Sequence, residues 1–378
     1  MPLKLTFALM LLCFTSVTGL RLVLSLNALN LGADPLAVAL LSVTFYGFPV
    51  VLAWPVGIWS DRIDSRWLLL LGTICGTLAV LFPYFAQDLP AIYAAGAMLG
   101  LSFAFYNVLL QNLVGLLSEP HDLARNFANA SMLGAASSFL GPFLGGLAID
   151  HAGNAEACLF MAAPAFIAAV LLAVFGGILP GATRSAPRTP GRDGLIRGPI
   201  VKTLIASALV QLGQDTYQVY VPIYGYAIGL TGSAIGGVLA IFAAAAFAMR
   251  FLMPRLVVLL GEERLLAYSL YVTAIGYALA PWVPHFAALA VVSIIVGAGL
   301  GCGQPITTML VFNQSSKGRS GETLGFRQAV NSAVRMSGPA AFGVMATMSG
   351  LLSVFLVNAV IMGIGGWVAR GIGKSDAK

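Results

Sequence analysis

The sequence is poor in charge. Only 9% of its 378 residues are Asp, Glu, Lys or Arg, against about a quarter in an ordinary water-soluble protein. With a mean hydropathy of +0.91, a soluble fold is excluded, because a core cannot hide that much apolar surface. Cysteine is scarce as well. Cys13, Cys75, Cys158 and Cys302 lie in separate apolar runs with no C-x-x-C pair. That excludes a disulfide framework and a thiolate metal centre. The histidines, His121, His151 and His285, stand far apart, and the chain has no H-E-x-x-H, G-x-S-x-G or Walker loop. Neither hydrolytic nor ATP-driven machinery is written into it, so an enzyme is not expected. No metal or other cofactor is expected, and no basic face with interleaved aromatics offers itself to nucleic acid.

What the chain has is apolar runs long enough to cross a bilayer, about 20 residues each. They fall near 5–29, 36–59, 67–86, 90–117, 126–150 and 156–180, then near 200–228, 232–259, 264–283, 286–312, 323–348 and 350–371. None alternates in the manner of a membrane strand, so the expectation is an all-α membrane protein of twelve transmembrane helices. Lys4 followed by an apolar run resembles a secretory leader. The run continues past Arg21 to about Leu29 without a small-x-small cleavage site, and is read as the first span.

Charge then sets orientation. With the N-terminus inside, Arg62, Arg66, Arg125, Arg264, Lys317 and Arg319 fall on cytoplasmic loops. So do Arg184, Arg188, Arg192 and Arg197 of the central connection and Arg370, Lys374 and Lys378 of the tail. The opposite loops hold Asp34, Asp88, Asp150 and Glu156 and no Lys or Arg. This positive-inside pattern places both termini in the cytoplasm of an inner (plasma) membrane. The net charge of +6 is therefore read as topology.

Residues 181–198, GATRSAPRTPGRDGLIRG, are the one stretch that reads as a linker. They divide the chain into residues 1–180 and 199–378, two bundles of six helices. The halves echo each other in order. Gly96 and Gly100 match Gly297 and Gly301, Asn112 matches Asn313, Pro55 matches Pro254, and Gly141-Pro142 matches Gly338-Pro339. Such pseudo-symmetric repeats place a substrate site near the midplane.

The turn after the second span reads Gly57-Ile58-Trp59-Ser60-Asp61-Arg62-Ile63-Asp64-Ser65-Arg66. It resembles the G-x-x-x-D-R-x-G-R-R/K signature of the major facilitator superfamily, with Asp64 where the family usually has Gly. Gly57 permits close approach of another helix. Asp61 can accept from the N–H groups of a helix start, which makes Gly57, Asp61, Arg62 and Arg66 a candidate conformational switch. Gly134, Gly141, Pro142, Gly145 and Gly146 in the fifth span resemble the antiporter signature of the drug/proton branch. Many exporters of the family carry Arg in the fourth helix where this chain has Gly96. The resemblance implies the two-bundle fold, alternating access and proton-linked efflux, working as a monomer in the lipid bilayer.

Charged residues inside spans are costly and point to function. Asp215 is the single acid well within one. Arg21 and Arg335 are its candidate partners in proton coupling. Gln211, Asp215 and Gln218 share a helix face, with Gln214, Tyr217 and Tyr220 on adjoining positions. These residues, with Asn27, Tyr106, Asn107, Gln111, Arg250, Gln304 and Asn331, are the candidate lining of a substrate cavity. The expected activity is proton-coupled export of a small organic molecule. Uptake of a small organic anion is the alternative within transport, favoured by the intramembrane Arg excess. A membrane receptor or assembly protein without transport is the alternative outside it.

The orientation is directly testable. In a cysteine-free background, Arg188→Cys should be silent to an impermeant maleimide in intact cells and labelled after permeabilisation. Labelling from outside would reverse the topology.

Overall fold

The computed structural model describes residues 2–31, 35–86, 88–181, 198–230, 232–283, 285–316 and 318–371. The expected linker lies almost entirely outside the described residues, as do Asp34, Lys317, Lys374 and Lys378. The described residues form α1 (Pro2–Asn30), α2 (Pro35–Ser60), α3 (Ser65–Leu78), α4 (Leu81–Phe85), α5 (Leu89–Leu116), α6 (Leu123–Ala152) and α7 (Asn154–Phe175). These are followed by α8 (Gly198–Ala227), α9 (Gly232–Leu260), α10 (Glu262–Leu279), α11 (Phe286–Gln314), α12 (Ser320–Ser349) and α13 (Leu351–Arg370). No strand occurs among the described residues. One expected span is interrupted: residues 67–86 become α3 and α4, with a turn at Ala79 and Val80. The cause is Pro83, which has no N–H for the carbonyl of Ala79 and crowds it.

Among the described residues, 10 helical stretches are long and apolar enough to cross a membrane, Ser65–Phe85 counting as one. The remaining two long helices are α8 and α12, each of 30 residues. Length is not what they lack, since 30 residues rise roughly 45 Å. Their apolar character is diluted by Gln211, Gln214, Asp215 and Gln218 in one, and by Glu322, Arg327, Gln328, Asn331 and Arg335 in the other. The two helices that fail as hydrocarbon are thus the two richest in intramembrane polar groups. Elsewhere the outer surface is apolar: Val258 is 86% exposed, Met348 81% and Trp282 77%. Surfaces of this kind are solvated by lipid.

The chain forms two compact units. The first comprises Met1–Glu119, Met132–Pro190 and Ser315–Ser332; the second comprises Pro120–Ser131, Gly191–Gln314 and Ala333–Lys378. Each has the same internal pairing. In the first, α2 packs on α5, α3 on α5 and α7, and α1 on α5 and α7. In the second, α9 packs on α11, α10 on α11 and α13, and α8 on α11 and α13. Equivalent glycines sit at equivalent contacts. A Cβ on Gly100 would lie 2.1 Å from the carbonyl oxygen of Phe45, and one on Gly301 would lie 2.6 Å from that of Ala246. Tight turns recur as well. Gly153 (φ 91°) joins α6 to α7 and Gly350 (φ 82°) joins α12 to α13, a left-handed backbone that side chains disfavour.

Within the first unit, α1 and α6 meet through small residues. Thr18 Oγ1 donates to the carbonyl of Ser137 at 2.8 Å, and Ser137 Oγ to that of Leu11 at 3.2 Å. Of the glycines in the antiporter-like pattern, Gly141 and Gly145 face α1 at Gly19, while Gly134 and Gly146 meet nothing within 4 Å. A Cβ on Gly141 would fall 2.1 Å from Thr18 Oγ1 and 2.7 Å from the backbone N of Gly19. Backbone cannot step aside as a side-chain tip does. Gly141→Ala is therefore expected to destabilise by about 1–3 kcal/mol, and Gly146→Ala by less than about 0.5 kcal/mol. Melting of the two purified variants compares them; equal melting temperatures would contradict the assignment.

Candidate functional site

Polar side chains gather at two places, one in each unit. In the second unit the centre is Asp215 on α8. Gln211 lies one turn earlier, and its Nε2 is 3.0 Å from both carboxylate oxygens. Gln304 of α11 donates through Nε2 to Gln211 Oε1 at 2.9 Å. Arg335 of α12 brings its Nε to 3.8 Å from Asp215 Oδ2. An acid, a base and two amides from three helices thus meet, with side-chain exposures of 17% for Asp215 and 27% for Arg335. Sequence spacing put Gln211 and Asp215 on one face but could not choose between Arg335 and Arg21. The geometry chooses Arg335.

The other α8 candidates have different surroundings. Gln218 is exposed and Gln214 half-buried. The tyrosines point into the unit. Tyr217 donates to Ser293 Oγ at 2.6 Å, Tyr220 to the Pro339 carbonyl at 2.7 Å, and Tyr224 to the Val283 carbonyl at 3.4 Å. Tyr217 also stacks on Phe242 with ring centroids 4.2 Å apart. They brace α8 against its neighbours. Arg250 has a backbone partner. Pro305 lacks the N–H that would pair the Gly301 carbonyl, and Arg250 Nε supplies a donor there at 3.2 Å.

In the first unit, Arg21 donates through Nη1 to the Tyr46 hydroxyl at 2.7 Å. Asn27 is buried on α1 and Asn331 on α12. Tyr106 is fully buried and faces α3, its ring 3.1 Å from where a Cβ on Gly72 would be. Gln111 donates to Asn107 Oδ1 and accepts from Arg327 Nη1 at 3.3 Å. Arg327 is only 2% exposed. The amides of α5 one turn apart are what make a buried position tolerable for it.

The second gathering surrounds Asp61, also within the first unit. Its Oδ1 accepts from the backbone N–H of Gly321 and its Oδ2 from that of Glu322, both at 2.9 Å. These are first-turn donors of α12 with no helical acceptor, and they carry the positive end of the helix dipole. Ser320 donates to Asn112 Oδ1 at 2.6 Å, and Asn112 donates to Ser60 Oγ at 3.3 Å. Arg319 pairs with Glu322 at 2.8 Å. Close approach requires glycine on both sides. A Cβ on Gly57 would be 2.1 Å from the Gly321 carbonyl oxygen, and a Cβ on Gly325 would be 2.2 Å from that of Ala53. Arg62 of the same turn is exposed. Arg66 donates to the carbonyl of Ala173 at 2.8 Å, near the end of α7. Asn112, Ser320 and Arg319 were not singled out in advance; the matched pair Asn112 and Asn313 was the signal that could have found the first.

Burial pushes the Asp61 carboxyl up from its ordinary 3.8 to about 6. The N–H bonds from Glu322 and Gly321 pull it partly back, the Glu322 charge raises it and Arg319 lowers it. The docked carboxyl thus holds a proton more tightly than one released to water. Acidification through the window from about 6 towards 3.8 therefore favours docking, and the preference fades as pH rises through 6. Hydrogen exchange at the Gly321 and Glu322 amides reports this. Corrected for intrinsic rates, protection should rise roughly tenfold from pH 7 to pH 5 and stay flat in Asp61→Asn. Protection that falls on acidification would contradict the sign.

Comparison with known proteins fits this architecture. The family model described as Major Facilitator Superfamily matches residues 6–204 and again 203–376. An uncharacterised MFS-type transporter, YfiS of Bacillus subtilis (strain 168), is 25% identical over 387 residues, covering 94% of this chain and 89% of that protein. Among solved structures, a bacterial homologue of the iron transporter ferroportin in an outward-facing state superposes with a TM-score of 0.82 at 16% identity, covering 99% of this chain and 100% of that one. The transporter FucP in the outward conformation gives 0.81 at 13% identity, covering 98% of each chain. The human organic anion transporter MFSD10 (TETRAN) gives 0.75 at 15% identity, covering 97% of this chain and 98% of that one. At these identities the structures speak for the fold, and the twice-matched family model for membership. The chain belongs to the major facilitator superfamily: it is a multi-pass membrane transporter, not an enzyme.

Proposed function

We propose that the protein is a proton-coupled exporter of a small organic molecule, a monomer of the inner (plasma) membrane with both termini cytoplasmic. It works by alternating access. The observation that carries this is Asp215, an intramembrane carboxylate held by Gln211 at 3.0 Å and by Arg335 at 3.8 Å. The pair is looser than Arg319 and Glu322 at 2.8 Å. A proton on Asp215 would cancel the attraction that holds Arg335, leaving α8 and α12 tied less closely. Charge neutralisation at this point then becomes a bias between two arrangements of the helices.

The Asp61 contact is the second working part. Its two N–H bonds at 2.9 Å form in one state of the cycle and break in the other. Asp61→Asn keeps one acceptor and turns an amide donor toward the remaining N–H. That variant should fold and insert while transport slows at least tenfold. The antiporter-like pattern at Gly141 and Gly145 supports export over import.

The coupling role of Asp215 is tested with proteoliposomes carrying an imposed pH gradient. Asp215→Asn should abolish gradient-driven accumulation and retain downhill exchange. If Asp215 served only as the structural partner of Arg335, the single variant would lose stability because a buried cation is left alone. The double variant Asp215→Asn, Arg335→Gln would then recover both folding and transport. Wild-type gradient-driven transport in Asp215→Asn would end the coupling assignment.

A further inference from the structure

An arginine near the end of a membrane helix has two uses: it answers carbonyls of a last turn, or it reaches toward the headgroups. The two units use it differently. Where α3 meets α7 in the first unit, Arg66 spends its fork on the Ala173 carbonyl at 2.8 Å. The matching pair in the second unit is α10 and α13, and there other groups answer the carbonyls. The N–H of Gly371 serves Val368 and Ala369 at the end of α13. Lys202 Nζ takes the Gly371 carbonyl at 2.6 Å. That leaves Arg264 near the start of α10 and Arg370 at the end of α13, both exposed. No described carboxylate forms an ion pair with either. Glu262 is turned to Asn313 of α11, 3.3 Å away, and Glu263 is half-buried.

The two helices are built to bring these cations together. Gly366 of α13 makes room for the ring of Tyr271 on α10, since a Cβ there would stand 2.8 Å from it. The Arg370 guanidinium lies over that ring, 4.7 Å from its centroid. A guanidinium engaged by its face keeps its edge donors for another partner. The register places Arg264 at the same level. Gly365 faces Leu270 and Gly366 faces Tyr271. Six residues back along α10 and six forward along antiparallel α13 bring Arg264 opposite Gly371, beside Arg370. The same register sets Tyr268 level with Trp367. Both are exposed, Trp367 by 73%, and amphipathic rings of this kind sit at headgroup depth. Further into the bilayer the exposed residues turn aliphatic, with Ile275 on α10 and Ile364 on α13. Cations, interfacial rings and aliphatic faces thus follow one another in the order of a lipid's phosphate, glycerol and acyl chains.

We propose that Arg264 and Arg370, flanked by Tyr268 and Trp367, form a headgroup site for an anionic phospholipid on the outer face of α10 and α13. The two forks grip phosphate oxygens, and the acyl chains lie along the aliphatic faces of the two helices. A zwitterionic lipid brings its own cation to the same place and gains less from two arginines. A free phosphate gains nothing from the aliphatic faces. On the orientation proposed above, the site belongs to the cytoplasmic leaflet.

Lipid binding is read without transport, so its outcome stands apart from the coupling role of Asp215. The full-length protein in detergent is titrated with phosphatidylglycerol or with phosphatidylcholine of the same chains, and bound lipid is counted by native mass spectrometry. The first phosphatidylglycerol should bind at least about threefold more tightly than phosphatidylcholine. The double variant Arg264→Gln, Arg370→Gln should lose that preference, and the double Lys variant should keep part of it. Arg255→Gln, at an exposed arginine of α9, should keep it in full. Glycerol 3-phosphate at equal concentration should not displace the lipid. Absence of a preference in the wild-type chain, an undiminished preference in the double Gln variant, equal loss in Arg255→Gln, or displacement by glycerol 3-phosphate would overturn the proposal. A dimer that forms without lipid preference and is lost in the double Gln variant would overturn it too, and assign the face to a second copy of the chain. Should the double Gln variant fail to fold, the two single Gln variants decide, each expected to lose part of the preference.

Discussion

Lipid offers no hydrogen bonds, so every backbone polar group inside the bilayer must find its partner within the chain. Most of what distinguishes this protein follows from that constraint. Where proline removes a helical N–H, a side chain repairs the loss: Arg250 serves the Gly301 carbonyl left open by Pro305. Near the end of α7, Arg66 takes the carbonyl of Ala173. Where α12 begins, its open N–H groups go to a carboxylate from another helix. Charges that would be intolerable singly become tolerable as contacts, and contacts that cross between helices can be made and broken.

The two polar gatherings differ in tightness, and the difference is physical. At Asp61 the glycines Gly57, Gly321 and Gly325 let backbones touch, so both carboxylate oxygens reach N–H groups at 2.9 Å. A contact so close is all-or-none: once the helices part, both bonds go together. At Asp215 the partners are long side chains. Gln211 is fixed at 3.0 Å by its place one turn away, but Arg335 reaches across to 3.8 Å. The first arrangement is fixed by backbone contact and the second by flexible side chains.

Much of the fold is legible in the sequence because its signals are long. Apolar runs of membrane length define the crossings with no tertiary information. The repeats were readable from Gly100 with Gly301, which occupy matching helix contacts in the two units. The break in the third span was missed because Pro83 lies inside an apolar run, where hydropathy is blind to a missing N–H. The burial of Arg327 was not legible either. Burial there depends on Gln111, which lies 216 residues away in the sequence.

The polar residues of α8 were legible as types and not as partners. Gln211 and Asp215 shared a face by spacing, but the choice of Arg335 over Arg21 required three dimensions. The tyrosines of α8 show the limit most plainly. Their spacing describes a stripe, and a stripe can line a cavity or brace a wall. Their hydroxyls end on Ser293, on the Pro339 carbonyl and on the Val283 carbonyl. Of these, the Pro339 bond carries the most consequence. It fixes α8 to α12 one turn beyond Arg335, on the same two helices that Asp215 and Arg335 join. A neutral hydrogen bond and a charge pair then hold one interface. Neutralising Asp215 would remove the second and leave the first, because the Tyr220 bond to the Pro339 carbonyl does not depend on charge.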